Sequence, residues 1–242
     1  MTGPDSVDPD RADRAAAAQG YYGRWATVYD VVARYTPGVG SLRAELVRSI
    51  SPPTAGMVLD MGCGTGANFP YLRERVGPRG TVVGVDFTPE VLDRAGRLVD
   101  RSEWENVHLV RGDARFPPIG RRPDAISASF VIGMLEDPAT AVGRWCSMVG
   151  EGGRIGLMDA ARSDRVYGPA VNLPFRALVL VSTPRSRRGR VVSDATALLD
   201  ARVAAAHRHL RRRCTDVTER TGAFGIVRIV AGTVADDSAP DP

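Results

Sequence analysis

The segment from Leu59 to Gly66 carries residue types that can bind a charged small molecule. It reads Leu-Asp-Met-Gly-Cys-Gly-Thr-Gly, so that an acidic residue is followed by glycines at alternate positions. Such glycines allow positive φ angles and let backbone N–H groups approach a ligand closely where a helix begins. Asp86 ends the next apolar run, where a carboxylate can accept hydrogen bonds from both hydroxyls of a ribose. These features predict a site for a cofactor that contains a nucleoside.

The glycine spacing argues against a dinucleotide cofactor. The dinucleotide fingerprint is GxGxxG, whereas here the third glycine follows two residues after the second and position 67 is Ala67. Asp60 lies two residues before the first glycine, where its negative charge would face a pyrophosphate with the wrong sign. A cofactor with a cationic amino-acid end suits Asp60 better, so a nicotinamide oxidoreductase is disfavoured.

Short apolar runs alternate with helical spacing along the chain, which predicts parallel strands covered by helices on both faces. Ligands of such sheets bind beyond the carboxyl ends of the strands. After the fifth run, a helix and a final strand pair close the domain. The predicted strands are 57–60, 81–86, 107–110, 124–129, 154–158, 215–219 and 224–233, and the clearest helices are 90–99, 139–149 and 194–210.

One domain is expected for a chain of 242 residues. Residues 1–10 and 235–242 are rich in Pro, Asp and Ser and poor in apolar residues, so both are predicted to be disordered. Within the single domain at 11–234, we expect a helical lid at 11–50, a cofactor-binding core at 51–160 and a substrate cap at 161–213.

The amino-acid composition restricts the cellular compartment and the binding partners that we expect for this protein. All 32 basic residues are Arg, which fits a coding bias better than a nucleic-acid footprint. Three Cys far apart in sequence offer neither a disulfide framework nor zinc-ligand spacing, so no metal and a reducing cytoplasm are expected. The acidic start is not a secretory signal, and no apolar run approaches the ~18 residues of a membrane span. Peripheral membrane contact and the oligomeric state stay open.

The string D-x-G-x-G-x-G resembles the first motif of class I S-adenosylmethionine-dependent methyltransferases, and the resemblance covers about residues 20–160. It continues at Asp86, at Gly112-Asp113-Ala114, at the strand ending in Ser129, and at Glu151-Gly-Gly-Arg-Ile155. It implies S-adenosylmethionine as cofactor and a doubly wound, Rossmann-like α/β fold, whose seven-stranded, mostly parallel sheet has an antiparallel last strand. The implied cofactor-binding residues are Asp60, Gly62, Gly64, Thr65, Gly66, Asp86, Asp113, Ala114 and Ser129.

The segment Tyr21–Asp30 is similar to the N-terminal segment of ubiquinone/menaquinone-biosynthesis methyltransferases. After the fourth strand, however, the chain has Gly133-Met134 where those enzymes have an Arg-Asn pair. The quinone acceptor is therefore not carried over from that group.

We expect methyl transfer to a C or O atom of a small, apolar organic molecule. In-line displacement requires a nucleophile held about 3 Å from the methyl carbon and protected from water. Asp159, at the end of the fifth strand, is the candidate proton acceptor, whereas His207 and His209 are expected to be solvated. The predicted substrate pocket comprises Tyr21, Tyr22, Trp25, Met134 and Phe175.

Two alternatives stay open. One is a methyltransferase that acts on RNA or protein, with phosphate contacts from the arginines at 185–190 and 211–213. The absence of an Asn/Asp-Pro-Pro-Tyr signature after the fourth strand, and of a separate nucleic-acid module, disfavours it. The other is a relative that binds the cofactor without catalysis, because no base is evident.

Overall fold

The structure is a computed structural model that describes residues 38–182 and 194–236. The predicted pocket residues Tyr21, Tyr22 and Trp25, the arginines at 185–190 and the predicted disordered stretch 1–10 lie outside these ranges. Most of the predicted lid at 11–50 and of the predicted tail at 235–242 also lies outside them.

Seven strands form one sheet in the order β3-β2-β1-β4-β5-β7-β6. The first five strands are parallel, β7 runs antiparallel to β5, and β6 runs antiparallel to β7. The strands are β1 (Met57–Met61), β2 (Thr81–Asp86), β3 (Val107–Arg111), β4 (Ala125–Ser129), β5 (Arg154–Ala160), β6 (Cys214–Gly222) and β7 (Val227–Val234).

The described helices cover both faces of this sheet. They are α1 (Val39–Ile50), α2 (Phe69–Val76), α3 (Pro89–Arg101), α4 (Pro138–Val149), α5 (Gly168–Ser182) and α6 (Asp194–Arg213), with short 3-10 turns at Ile132–Met134 and Ala223–Gly225. The predicted doubly wound, mostly parallel sheet is confirmed, including its antiparallel last strand, β7. In the described ranges, no helix combines the length and apolar composition that a bilayer crossing requires.

Local sequence explains where the helices begin. Proline occupies the first turn of α2, α3 and α4, where its missing N–H would have no partner in the helix. The Asp137 carboxylate caps α4 by accepting a hydrogen bond of 3.1 Å from the backbone N–H of Thr140. In α3, Val91, Leu92 and Ala95 are buried, so that the helix packs one apolar stripe on the sheet.

The hydrophobic core lies in two layers, one on each face of the sheet. One layer includes Phe69, Leu72 and Leu92 from α2 and α3 together with the α1 residues Val47 and Ile50. The opposite layer contains Trp145 of α4 and the α6 residues Val203, Ala206 and Leu210, packed on side chains of β1, β4 and β5. The two layers hold the parallel strands in register, so that their carboxyl ends meet at one edge.

Candidate functional site

Three glycines with positive φ connect β1 to α2, and the surroundings of the three differ. A Cβ at Gly62 would lie 2.6 Å from Val131 Cγ2, and one at Gly66 would lie 2.5 Å from Phe69 Cδ2. A Cβ at Gly64 would meet nothing within 4 Å. Gly62 and Gly66 are therefore required by packing within the protein, whereas Gly64 borders open space in the middle of the loop.

Asp86, at the end of β2, is tied to this loop. Its Oδ2 accepts a hydrogen bond of 3.0 Å from the backbone N–H of Gly64, and its Oδ1 accepts one of 2.9 Å from the backbone N–H of Thr88. Burial raises the pKa of Asp86, and these backbone hydrogen bonds partly oppose the increase. The structure thus places the predicted ribose-binding carboxylate against the glycine loop.

Asp60 is completely buried near the end of β1. Its Oδ1 accepts hydrogen bonds from Ser127 Oγ at 2.7 Å and from Asn68 Nδ2 at 2.9 Å. Its Oδ2 has no hydrogen-bond partner among the residues that the structure describes. Burial raises the pKa of Asp60 to about 6, although Asn68, Ser127 and the charge of Arg43 lower it in part. The unpartnered oxygen leaves an incompletely satisfied carboxylate below the glycine loop.

Asn68 and Arg43 belong to the same network, and the sequence analysis missed both. Asn68 Nδ2 also lies 2.9 Å from Ser129 Oγ, and Asn68 Oδ1 accepts a hydrogen bond of 2.5 Å from Nη1 of Arg43. Arg43 is a nearly buried arginine on the face of α1 that also buries Leu46 and Val47. The sequence did offer one signal for Arg43, because it is a charged residue on an otherwise apolar helix face. Such a charge needs a partner inside the protein.

The predicted adenine-side residues, Asp113 and Ala114, follow β3. The Asp113 carboxylate is held by Arg115, whose Nη2 donates to Oδ2 at 2.6 Å. Partial burial raises the pKa of Asp113, but the hydrogen bonds and charge of Arg115 outweigh this effect and lower the pKa. The carbonyl of buried Ala114 accepts a hydrogen bond of 2.7 Å from Trp145 Nε1. The positions are as predicted along the chain, but Asp113 is already engaged by its neighbour.

Thr65 and Ser129 complete the predicted cofactor set. Thr65 is buried within the glycine loop, and Ser129 is half-buried at the end of β4. Because β1 and β4 are neighbours, with Asp60 in register with Ser127, the ends of these strands and the glycine loop meet at one edge. The structure therefore brings Asp60 and Ser129 together at Asn68, whose amide nitrogen contacts both, and Thr65 lies in the loop before Asn68.

Asp159 lies near the end of β5 and is only 1% exposed. Its Oδ2 lies 3.3 Å from Nε2 of His207, and its Oδ1 has no partner in the described part of the chain. Burial raises the pKa of Asp159, while the contact with His207 lowers it in part.

The prediction that His207 and His209 are solvated is wrong. His207 is buried on the face of α6 that packs against the sheet, and His209 is half-buried. The neighbouring arginines suggested a solvated helix, and Arg208, Arg211 and Arg212 are indeed exposed on α6. His207, however, lies against Asp159 of β5, and His209 lies against Gly143 of α4.

The predicted substrate residues are only partly described. Met134 is half-buried in the turn after β4 and packs on the core layer that contains Trp145. Phe175 is buried on α5. A cavity of about 270 Å³ lies along α5, lined by Arg162, Pro169, Asn172, Leu173 and Arg176. None of the predicted site residues that the structure describes lines it.

The side chains at this edge determine whether a metal or a nucleoside cofactor could be held there. In residues 38–182 and 194–236, no three His, Cys, Asp or Glu side chains cluster as metal ligands would. The residues do fit S-adenosylmethionine. Gly64 leaves space beside a backbone N–H, Asp86 supplies a carboxylate for hydroxyl donors, and the unpartnered Asp60 Oδ2 can accept from a cationic group.

Comparisons with known proteins agree with this geometry. Residues 58–153 match the family model described as a methyltransferase domain. An aklanonic acid methyltransferase of Streptomyces sp. strain C5 is 33% identical over 112 residues, which cover 46% of this chain and 51% of that protein. A demethylmenaquinone methyltransferase of Roseiflexus castenholzii is 30% identical over 160 residues, which cover 65% of this chain and 66% of that protein.

A solved structure shares the fold. The S-adenosylmethionine-dependent methyltransferase of Aquifex aeolicus matches with a TM-score of 0.55 and 16% identity, over 86% of this chain and 98% of that chain. The chain spans about half the length of several curated relatives that it matches. From the matched domain, the sheet order and the cofactor edge together, we conclude that the chain carries a class I S-adenosylmethionine-dependent methyltransferase domain with S-adenosylmethionine as its cofactor.

Proposed function

We propose that this protein transfers a methyl group from S-adenosylmethionine to a C or O atom of a small, apolar organic molecule. The observation that carries the proposal is the juxtaposition, at one edge of the sheet, of Gly64, Asp86 and the incompletely satisfied Asp60. The names of two relatives support the acceptor class, because aklanonic acid and demethylmenaquinone are small molecules.

In this proposal each residue of the cofactor edge has one task. Asp86 binds the ribose hydroxyls, and the Gly64 loop allows close approach of the backbone. Asp60 and Ser129 face the amino-acid end, Thr65 supports the loop, and Asp113 and Ala114 border the adenine. Arg115 has to share Asp113 with the adenine amino group, or to move away from it, because it already donates to both carboxylate oxygens.

When bound, S-adenosylmethionine supplies a methyl group on a positively charged sulfur, which a carbon or oxygen nucleophile can displace. The protein has to orient that nucleophile and exclude water, and only some acceptors need deprotonation. Asp159 is our candidate proton acceptor. Its burial raises its pKa, which makes its carboxylate a stronger base than an exposed one, and His207 holds one of its oxygens.

The described surface gives little support to a polyanionic acceptor. Several surface arginines are paired with carboxylates of the same protein, which reduces the positive charge they offer to phosphates. The pairs are Arg48–Glu45, Arg115–Asp113, Arg162–Asp200, Arg211–Glu219 and Arg228–Asp164. We therefore favour a small-molecule acceptor over RNA or protein.

The predicted division of the domain into a lid, a cofactor-binding core and a substrate cap is also part of the proposal. The five parallel strands are used for the cofactor, so residues 11–50 and 161–213 would roof the acceptor. Met134 and Phe175 would form its apolar walls together with Tyr21, Tyr22 and Trp25 of the N-terminal segment.

The test uses S-adenosylmethionine with a tritiated methyl group and a cell extract as the source of acceptors. We expect the label to enter small compounds that organic solvent extracts. Label in acid-precipitable material that ribonuclease or protease releases would overturn the small-molecule proposal.

Asp86→Ala tests the predicted contact between Asp86 and the ribose of the cofactor. Because it removes charged hydrogen bonds to the ribose, we expect calorimetry to show S-adenosylhomocysteine binding weakened by about 1–3 kcal/mol. Asp93→Asn, at an exposed position of α3, should leave this affinity unchanged. Equal affinity in Asp86→Ala would contradict the ribose assignment.

A further inference from the structure

Six large apolar side chains are exposed in the part of the chain that the structure describes, and four of them lie close together around α5. Val166 and Tyr167 directly precede α5, and Leu173 is on the helix itself. The ring of Phe224 packs edge-to-face on Tyr167, with 6.4 Å between the ring centres. Single apolar residues are common at protein surfaces, whereas a group of exposed ones marks a contact surface.

Hydrogen bonds from the buried Ser163 hold the two parts of this group together. Its backbone N–H donates to Asn172 Oδ1 at 2.7 Å, and its carbonyl accepts from Asn172 Nδ2 at 2.9 Å, which fixes α5. Its hydroxyl donates to the backbone carbonyl of Phe224 at 2.8 Å, which fixes the turn before β7. The exposed side chains are therefore presented from a defined framework.

The turn that carries Phe224 has an uncommon backbone. Ala223 and Phe224 have φ angles of 48° and 57°, which residues with a side chain adopt only where their surroundings enforce them. The Phe224 side chain that this turn presents is 72% exposed. A strained turn thus holds a large aromatic ring in water, which costs stability unless a partner covers the ring.

The outer face of α5 is apolar as well. Its exposed apolar residues are Pro169, Ala170, Leu173, Pro174 and Ala177. Arg176 is the only charged residue of the helix, although a surface helix normally presents charged and polar residues to water. With 15 residues, α5 is shorter than the about 20 residues that cross a bilayer, so it can lie on a membrane but not span it.

Positive charge borders these apolar residues. Arg162 and Arg176 line the same cavity of about 270 Å³, together with Leu173. Arg165 and Arg176 are exposed, and neither forms an ion pair within residues 38–182 and 194–236. Their charges are therefore available to anions in the surroundings.

The nearby carboxylates are already engaged by other arginines. Asp200 is paired with Arg162, and Asp164 lies 3.7 Å from Arg228. The contact surface as a whole is therefore apolar and cationic. It comprises Val166, Tyr167, Leu173, Phe224, Arg165 and Arg176, and we call it the α5 surface.

We propose that the α5 surface docks the protein on an anionic lipid bilayer. Its apolar side chains enter the boundary between headgroups and acyl chains, and its two arginines bind lipid phosphates. Because β5 ends shortly before Arg165, a docked protein holds the carboxyl edge of its sheet beside the membrane. This inference goes beyond the proposed function and does not depend on it.

Sedimentation with vesicles tests the docking. The full chain is mixed, without cofactor, with vesicles of pure phosphatidylcholine or of equal parts of phosphatidylcholine and phosphatidylglycerol. We expect a partition coefficient about 10- to 30-fold higher on the anionic vesicles, because each arginine near such a surface contributes about 5-fold. Absence of the protein from sedimented anionic vesicles would overturn the proposal.

Leu173→Ser combined with Phe224→Ser tests the apolar contacts. Both side chains are exposed, so the variant should fold, which circular dichroism checks. Its partition coefficient should fall at least about 10-fold, because two large apolar side chains no longer leave water. Phe116→Ser is the matched control, since Phe116 is 58% exposed but follows β3, at the opposite edge of the sheet from β6 and β7. An unchanged partition coefficient in the double variant would contradict the assignment of this surface.

Arg165→Glu combined with Arg176→Glu tests the charges. This variant should bind anionic vesicles at least about 10-fold more weakly. Arg94→Glu combined with Arg97→Glu makes the same change of net charge at exposed positions of α3 and should retain most of the binding. Equal losses in the two variants would show that net charge, and not the α5 surface, attracts the vesicles.

Sedimentation velocity without lipid distinguishes a membrane from a second copy of the chain. We expect a monomer at the concentrations of the vesicle assay. A dimer that dissociates on Leu173→Ser and Phe224→Ser would assign the α5 surface to contact between copies and overturn the proposal. Vesicle binding by a protein that fails to bind S-adenosylhomocysteine would leave the docking intact and refute only the proposed function.

Discussion

At the scale of single residues, the binding role that we propose for Asp60 opposes the stability of the protein. Its carboxylate is fully buried, one oxygen has two hydrogen bonds, and the other has none in the described part of the chain. Burial raises its pKa to about 6, which means that the folded protein holds this proton more tightly than the unfolded chain does. A buried carboxylate without full compensation destabilises the ligand-free protein at neutral pH.

The sign of the effect on stability follows from linkage. Between about pH 4 and 6 the folded state binds more protons at Asp60 than the unfolded state, so the contribution of Asp60 to stability falls as the pH rises through this range. The loss is on the order of 3 kcal/mol and is complete above about pH 6. We expect Asp60→Asn to be more stable relative to the unaltered protein at pH 7.5 than at pH 4.5.

Urea denaturation of the ligand-free protein at both pH values measures this difference. Asp93→Asn is the control, because Asp93 is exposed on α3. If Asp60→Asn changes the free energy of unfolding equally at pH 4.5 and 7.5, the buried carboxylate does not titrate as described.

At the scale of elements, the connection between β1 and α2 combines two kinds of glycine. Gly66 is closed off by Phe69, which is fully buried and cannot move aside, whereas Gly64 faces open space. Both have positive φ, so an alanine at either position has some backbone strain. Substitutions at Gly66 and Gly64 can therefore test packing and ligand binding separately.

We expect Gly64→Ala and Gly66→Ala to have opposite principal effects. Gly64→Ala should cost only about 1 kcal/mol of stability through its positive φ, but should weaken S-adenosylhomocysteine at least about 10-fold by filling the space beside the loop. Gly66→Ala should cost about 2–4 kcal/mol, because overpacking against Phe69 adds to the strain. Urea denaturation and calorimetry measure the two quantities. Tight ligand binding by a folded Gly64→Ala protein would argue against this position of the cofactor.

The contact between β5 and α6 depends on a second buried polar pair, Asp159 and His207. Removing one partner of such a pair leaves the other without compensation, whereas replacing both by apolar residues is far less costly. We expect His207→Leu to destabilise the protein by about 3 kcal/mol, and the double variant with Asp159→Leu to recover much of that loss. Arg208→Leu, exposed on the same helix, should change stability by less than about 0.5 kcal/mol. Additive losses in the double variant would show that the two side chains do not act as a pair.

At the scale of the whole molecule, our proposal assigns the edge of the sheet to the cofactor and the flanking segments to the acceptor. The carboxyl ends of β1, β2 and β4 are occupied by the glycine loop, Asp86 and the Asn68 network. Apart from Met134, acceptor specificity should therefore depend on residues outside the matched domain at 58–153.

Tyr22→Ala and Phe175→Ala test this division. We expect each to leave S-adenosylhomocysteine affinity within a few-fold while reducing turnover strongly, because loosened positioning of the acceptor raises the reaction barrier more than it weakens cofactor binding. Steady-state kinetics with the acceptor found by tritium labelling, together with calorimetry, measures both quantities.

Arg187→Glu is the opposing variant. It should matter little for a neutral acceptor, but should reduce both binding and its salt dependence if the acceptor is polyanionic. A large effect of Arg187→Glu, with negligible effects at Tyr22 and Phe175, would favour RNA or protein as the acceptor.

Much of this architecture was determined by the sequence alone. Apolar runs alternating with helical spacing predicted the strands within a few residues. For the central strands β1, β2, β4 and β5, the physical reason is burial on both faces, which demands near-continuous apolar sequence. The glycines at 62, 64 and 66 predicted the cofactor loop, since their backbone conformations are a local property. The different surroundings of Gly64 and Gly66 were not predictable from the sequence, and the catalytic role of Asp159 stays a prediction.

Only the tertiary structure decided which polar groups meet. Asn68 joins Arg43, Asp60 and Ser129, which come from three separate elements, and no sequence period encodes that contact. His207 was predicted to be solvated from its neighbouring arginines, but it is buried against Asp159, 48 positions away in the chain. Local periodicity follows from the backbone and from burial, whereas pairing of buried polar groups depends on packing between distant elements. For that reason the sequence determined the fold and the glycine loop, and the tertiary structure decided the charge arrangement beside them.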